Sequence, residues 1–288
     1  MTEPRGPVVE ELWVYPLKSG RGIPVDRMDL DSYGPSMDRR WILLDGDGRF
    51  MSQRTHPRMA LLSVAFENGG ITVTEPDGGA CFLPVRDEGV RFRVSVWDLP
   101  GEAIELDGDP ASWMSEWFGE PVRVGFMPMD GKRGTGPGFL PGRPISFADG
   151  YPFLLISTAS LDELSRRAGR PVEMDRFRPN IVVSGCGAHE EDLWRRVKVG
   201  GIPMRGVKPC PRCVATTVDP ATGVRGPEPL ATLRRYRMTP DGIFFGQNLA
   251  HEATGSLERG DRVQVLEAGP PPVGPRGVVA ETHRSEEE

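Results

Sequence analysis

Long apolar runs are missing from this chain. Nothing approaches the ~20 consecutive apolar residues that a membrane helix requires. The N-terminus, MTEPRGPVVEELWVYPLKSG, has no apolar stretch of signal-peptide length behind a basic start. N-x-[ST] acceptor sites are absent as well. Cysteine is scarce, at four in 288 residues. Without a secretion signal that number argues against a disulfide framework and for a reducing compartment. The expectation is a cytoplasmic protein with no membrane association. An excess of positive charge is lacking too. Lys and Arg total 35 against 41 Asp and Glu, a formal net charge of −6, which speaks against a dedicated nucleic-acid binder. Any anionic ligand must therefore be held by a local cationic pocket and not by the global field. Nucleotide fingerprints are also missing. The glycine-rich stretch MDGKRGTGPGFLPGRP (129–144) follows no strand and opens no helix, so it is neither a dinucleotide loop nor a P-loop. It reads as a loop between domains and a candidate lid.

What the chain does have is turn chemistry. Gly 36 and Pro 29 imply many turns and short elements, hence a β-rich fold. Runs rich in Val, Ile, Leu, Phe and Trp at 8–17, 39–45, 58–67, 70–76 and 90–97 predict strands in the first half. Further strands are predicted at 146–157, 180–185, 193–200, 213–219, 242–249 and 261–267. DGDGR (45–49) resembles the start of a calcium loop, but His56 stands where that loop needs Glu, so a hairpin turn is expected. Helices are predicted at 109–119, with Asp109 as N-cap, Pro110 at N1 and Gly119 as the stop, and at 157–171, where Ser160 and Glu163 fit a capping box. A third, short helix is predicted at 227–237. The tail 268–288 is Pro/Gly-rich and then acidic, a composition expected to stay disordered.

Two of the four cysteines lie in KPCPRCVATTVDPATG (208–223), spaced C-x-x-C. A structural zinc site needs four ligands, usually two such pairs. Here there is one pair, Cys81 and Cys186 stand alone, and the four histidines show no H-x-x-x-H spacing. A redox dithiol would place its first cysteine at a helix N-terminus, whereas VATTVD reads as strand. The remaining reading is a thiolate in a cationic neighbourhood, with Lys208 and Arg212 favouring the ionised sulfur. A soft thiolate suits a soft, high-valent metal brought in by an anionic cofactor. Cationic residues to hold one stand at three strand ends: Lys18, Ser19 and Arg21 in YPLKSGRG, Arg39 and Arg40 in MDRRW, and Arg176 and Arg178 in MDRFRPNIVVSG.

These segments, with CPRCVATTVDPATGVRGPEPLATLRRYR and the later FGQN, resemble the MOSC family, the relatives of the molybdenum cofactor sulfurase C-terminal domain. Within that family the pattern is that of the mitochondrial amidoxime-reducing components and their bacterial relatives, and it runs from about residue 8 to 267. The resemblance implies an α+β, mainly β fold: a MOSC β-barrel domain (129–267) behind a smaller β-rich N-terminal domain (1–128), with a few short helices and the tail 268–288. It implies a molybdenum pyranopterin cofactor, with Cys213 as the thiolate on the metal and the catalytic residue. Lys18, Ser19, Arg39 and Arg178 match positions that hold the pterin and its phosphate. Arg212, Ser157, Thr158 and Thr216 are further expected contacts. Asn248 counts with the cofactor-binding positions, although the amidoxime reducers carry an aromatic residue there. Cys210 is expected beside the metal without bonding it, and Cys186 in packing. The function implied is reduction of small N-hydroxylated substrates, with electrons from a separate ferredoxin- or cytochrome-like protein. No cysteine follows Cys213 to build a 2Fe–2S cluster, and no flavin or nicotinamide fingerprint is present. The alternative function is a carrier that holds the cofactor, or sulfur as a cysteine persulfide, in transit.

Overall fold

The computed structural model describes residues 6–136 and 140–271. Its first strand, Val8–Val14, shows how pattern becomes pairing. Val9, Leu12 and Val14 are buried. The step of three between Val9 and Leu12 is absorbed by a bulge in the pairing with Ile181–Ser184. Phe153–Ser157 is buried along its whole length. It pairs in parallel with Ile181–Ser184 and antiparallel with Gly242–His251, as a continuous apolar run in a sheet centre should.

Around these lies a nine-stranded sheet. Its order is Val263–Ala268, Trp194–Val199, Ile202–Pro211, Gly242–His251, Phe153–Ser157, Ile181–Ser184, Val8–Val14 and Ile23–Val25, with Met238–Thr239 attached to Gly242–His251. A four-stranded sheet is formed by Trp41–Leu44, Arg123–Phe126, Leu99–Glu105 and Arg91–Val96. Two three-stranded sheets complete the strands: Ser63–Glu67 with Gly70–Thr74 and Ala80–Pro84, and Gly255–Glu258 with Arg27–Asp31 and Gly34–Pro35. Three α-helices are described: α1 (Asp109–Phe118), α2 (Thr158–Ala168) and α3 (Leu230–Arg237). The fold is α+β and mainly β.

Two large cores result. One is built on the nine-stranded sheet around Leu12, Leu155, Trp194 and Leu249. The other gathers Trp41, Met59, Leu106, Met114 and Phe126 from the first half. The division expected at residue 128 is crossed by the first strand, because Val8–Val14 pairs with Ile181–Ser184 in the large sheet. The last strand ends at Ala268. Of the expected disordered tail, 272–288 lie outside the described residues, as do 137–139 of the candidate lid.

Several elements differ from the sequence expectation for identifiable reasons. Pro57 opens a 3-10 turn over Pro57–Leu61, so the run 58–67 yields a strand only at Ser63–Glu67. The run 213–219 is not a strand. Val214–Thr217 form a 3-10 turn in which the Thr216 and Thr217 hydroxyls donate to the carbonyls of Cys213 and Val214, the local competition typical of threonine. Helix α2 is capped by Ser157, whose Oγ accepts from the Ser160 N–H at 3.1 Å. Glu163 is drawn instead to Arg166 and Arg167. The N-cap of α1 is Gly108, one residue before Asp109. Ile202–Pro211, near the centre of the large sheet, is disguised by three prolines and Gly206. Gly206 is required there, since a Cβ would lie 1.8 Å from the Trp194 carbonyl oxygen.

Candidate cofactor site

Backbone pairing brings the cationic strand ends together. The Lys18 N–H donates to the Trp41 carbonyl (2.9 Å), the Arg39 N–H to the Tyr15 carbonyl (2.8 Å) and the Arg212 N–H to the Ile243 carbonyl (2.7 Å). The result is a cavity of about 430 Å³. Of the sequence-predicted residues, Lys18, Ser19, Arg39, Arg178, Arg212, Cys213, Thr216 and Asn248 line it, with Cys210. Ser157 and Thr158 are not among its lining residues. Ser157 is fully buried elsewhere, where its Oγ donates to Glu191 (3.0 Å) and bonds Ser160 (2.8 Å). Thr158 opens α2 beside it. Ser157 belongs to the helix cap and its buried polar cluster, and Thr158, half-buried, is the first residue of the helix.

The cationic side chains sort into two kinds. Arg21 and Arg176 pin loops. Arg21 donates to the carbonyls of Ala60 (2.9 Å) and Pro220 (2.6 Å). Arg176 lines the cavity but is fully engaged with Glu173, the Val218 carbonyl and Asp219, and so fixes the loop behind Cys213. Arg40 turns to Asp31 (3.0 Å) and stacks on Tyr33. The others keep capacity for a ligand. Arg39 and Arg178 lie over the Tyr15 ring, at 4.6 and 4.3 Å from its centroid. The Tyr15 hydroxyl is fixed on the Pro179 carbonyl (3.0 Å), and burial pushes its pKa well above the ordinary value. Arg178 donates one nitrogen to the Gly20 carbonyl, while its Nη2 is buried with no partner. Arg212 donates to the carbonyls of Phe245 (2.8 Å) and Phe177 (3.2 Å), and its Nη2 too is buried and unpartnered. An unsatisfied buried donor costs about 1–3 kcal/mol, so these two, with Arg54 Nε as a third among the lining residues, mark a place where a ligand supplies the acceptors.

Lys18 is buried. Its ammonium donates to the Phe147 carbonyl (2.8 Å) and pairs with Asp149 (2.5 Å). Burial lowers its pKa to about 8, against the opposing pull of Asp149. The Asp149 side chain is 62% exposed, so its desolvation counts for less than the Lys18 ammonium. With Lys18 and Arg54 beside it, that carboxyl stays below its usual range. It is the only carboxylate among the described lining residues.

The cysteines separate by environment. Cys210 ends its strand in the cavity wall, and burial pushes its thiol pKa up with Arg212 opposing. Cys213 sits at the head of the 3-10 turn, its carbonyl taking the Thr216 N–H (3.1 Å) and hydroxyl (3.0 Å). Cys186 lies by Glu191, and burial first, then that carboxylate, raises its pKa to about 12. Cys81 is buried in the first-half core. No group of three or more His, Cys, Asp or Glu side chains able to hold a metal exists among the described residues.

Backbone strain collects at the same place. Of the seven described non-glycine residues with positive φ, four line the cavity: Ser19 (70°), Arg39 (49°), Trp97 (56°) and Arg178 (57°). Each costs about 1–2 kcal/mol, and such strain concentrates at ligand sites. The loop residues Ser52, Gln53 and Arg54, together with Trp97, Asp149, Tyr151 and Asn180, also line the cavity. Apart from Asn180, which falls in MDRFRPNIVVSG, no motif marks them in the sequence.

The two halves of the wall fall into two family profiles. The MOSC N-terminal beta barrel domain matches residues 6–121, and the MOSC domain matches 142–264. Mitochondrial amidoxime-reducing component 1 of Mus musculus is 33% identical over 278 residues, covering 90% of this chain and 82% of that protein. The chain belongs to the MOSC family. Mitochondrial amidoxime reducing component 2 of Homo sapiens is 32% identical over 275 residues (88% and 82%), and component 1 of Danio rerio 34% over 276 (89% and 84%). Among solved structures, the YUAD protein of Bacillus subtilis covers 89% of this chain at 13% identity with a TM-score of 0.39, too loose a likeness to carry an argument. In this MOSC protein the cavity draws Lys18, Ser19 and Arg39 from the first matched region and Arg178, Arg212, Cys213 and Asn248 from the second. An anionic metal cofactor fits what is there. The orphaned guanidinium nitrogens need acceptors, and a soft sulfur lies beside them. The absence of a protein ligand cluster among the described residues means the metal must bring other ligands with it.

Proposed function

We propose that this protein is a molybdenum-cofactor-dependent reductase of N-hydroxylated compounds. The observation that carries the reading is one cavity in which Cys213 stands with Arg178 and Arg212, whose buried nitrogens have no acceptor. The names of the relatives, amidoxime-reducing components, supply the reaction class. In this reading Cys213 is the thiolate on the metal. Lys18, Ser19, Arg39, Arg178 and Arg212 hold the pterin and its phosphate by charge-assisted hydrogen bonds, with Thr216 and Asn248 as further contacts. When bound, the group supplies the two-electron chemistry that cleaves the N–O bond. The overall reaction takes an amidoxime or hydroxylamine, two electrons and two protons to the amidine or amine and one water. A separate ferredoxin- or cytochrome-like protein delivers the electrons. The chain's own residues bind and orient. Tyr15 spaces the two arginines over its ring, Arg176 holds the Cys213 loop, and Asp149, kept ionised, balances charge rather than donating a proton. No described helix is long and apolar enough to cross a membrane. A cytoplasmic setting is part of the same proposal.

The test compares the two cysteines in protein made by a host that synthesises the cofactor. Cys213→Ser replaces a soft sulfur by a hard, poorly ionised oxygen. It should abolish reduction of benzamidoxime by an artificial electron donor and lower molybdenum content. Cys210→Ser should retain most of both. Equal loss from both variants, or a molybdenum-loaded wild type that turns over no N-hydroxylated probe, overturns the reading. In the second case transfer of labelled sulfur onto a cysteine would identify a carrier.

A further inference from the structure

The cavity holds more positive charge than the cofactor contacts account for. Seven cations line it against one carboxylate. Lys18 pairs with Asp149, Arg39 with Asp38 (2.5 Å), and Arg176 with Glu173 and Asp219. Lys18, Arg39, Arg178 and Arg212 are assigned above to the pterin and its phosphate, and Arg176 to the loop behind Cys213. Lys208 and Arg54 are left. Lys208 projects from Ile202–Pro211 five residues before Cys213 and forms no ion pair among the described residues. The residue is half-buried, and its ammonium lies 5.8 Å from the Tyr151 ring centroid. Arg54 stacks on Trp97 at 3.6 Å and has only a distant pairing, 3.8 Å, with Asp149. Its Nε is buried without a partner. Trp97 is 44% exposed and held at positive φ, so this part of the wall is its open side. Two cations, each backed by an aromatic ring, therefore face the cavity beyond the cofactor contacts. A flat π-surface beside an unpaired cation suits a planar ligand that carries negative charge.

We propose that Lys208, with Arg54, selects planar N-hydroxylated substrates that bear an anionic group such as a carboxylate. This rests on the reductase reading and narrows its substrate class. Asn248 supports the arrangement by donating to the Lys208 carbonyl (3.3 Å), which fixes the strand at that point.

Three probes that differ only at the 4-position test it on the cofactor-loaded protein: benzamidoxime, its 4-carboxy derivative and its 4-aminomethyl derivative. Wild type should favour the carboxylate over the uncharged probe by at least about tenfold in kcat/KM, the scale of one charge-assisted hydrogen bond. The advantage should shrink as salt is raised. Lys208→Gln should bring the ratio toward one, Lys208→Arg should restore it, and Lys208→Glu should move the preference to the aminomethyl probe. Equal kcat/KM for the three probes in wild type overturns the proposal. So does loss of molybdenum from Lys208→Gln, which would make Lys208 a cofactor contact. If no probe is reduced, the reductase reading fails on its own, and calorimetric binding of the same three probes decides the selection: tighter binding of the carboxylate supports it, equal binding overturns it.

Discussion

Replacing Arg178 by Met separates the cost of the site from its use. In the cofactor-free protein the Arg178 guanidinium is buried beside a second arginine. Burial first, then the neighbouring Arg39 charge, lowers its pKa to about 10. One of its nitrogens is bonded to the Gly20 carbonyl and another has no partner. Removing it forfeits a charged hydrogen bond of about 1.5–3 kcal/mol and a cation–π contact of about 0.5–2 kcal/mol. It also relieves an unsatisfied donor of about 1–3 kcal/mol and the repulsion from Arg39. The backbone penalty at φ 57° is the same for Met as for Arg. These terms nearly cancel, so the cofactor-free variant should unfold within about 4 °C of wild type, given about 2–4 °C per kcal/mol for a chain of this size. Cofactor retention is a different matter. Loss of a buried charged partner costs about 2–5 kcal/mol, at least about 30-fold in affinity. The assay is thermal unfolding of the cofactor-free protein together with molybdenum content after dialysis of the loaded protein. A variant that loses 10 °C or more, roughly 3 kcal/mol on that scale, and yet keeps full molybdenum would show that Arg178 is a structural residue and refute the reasoning.

Further outcomes follow from Lys18 and Ser157. Lys18 loses its proton near pH 8 in the free protein, so cofactor retention, measured by pterin release, should weaken between pH 7 and pH 9. The unfolded chain keeps that proton up to its ordinary pKa of 10.5. Stability of the free protein should therefore gain from this group as pH rises between those two values, and a flat retention profile would deny Lys18 a role in anion binding. Ser157→Ala should lower thermal stability by about 1–3 kcal/mol, because it leaves the buried Glu191 carboxylate short of a donor. Molybdenum content should hold, and its loss would return Ser157 to the cofactor site.

Legibility followed the range of the interaction that decides each element. Val8–Val14, Gly70–Thr74 and Phe153–Ser157 are readable because each is a short run rich in apolar residues, a signal contained within the strand itself. The stop of α1 at Gly119, in left-handed conformation, is equally local. Ile202–Pro211 was not readable. Its prolines and Gly206 lower its strand propensity, and only the close approach of Trp194 across the sheet explains why glycine must stand there. The turn after Cys213 misled for the opposite reason. Val and Thr favour strands on average, but the two threonine hydroxyls here satisfy carbonyls of their own turn.

The candidate site divides along the same line. Residues in short motifs, such as Lys18, Arg178 and Cys213, are legible because the motif states both the residue and its neighbours. The rest of the wall has no such statement. Arg54, Trp97 and the pair Asp149 and Tyr151 come from three separate loops, and each alone reads as an ordinary surface residue. Their meaning lies in pairings that only the fold creates: Arg54 against Trp97, Asp149 against Lys18. What the cavity wall does is therefore set by pairings between separate segments, which no motif carries, and Lys208 beside Tyr151 joins a motif residue to that wall.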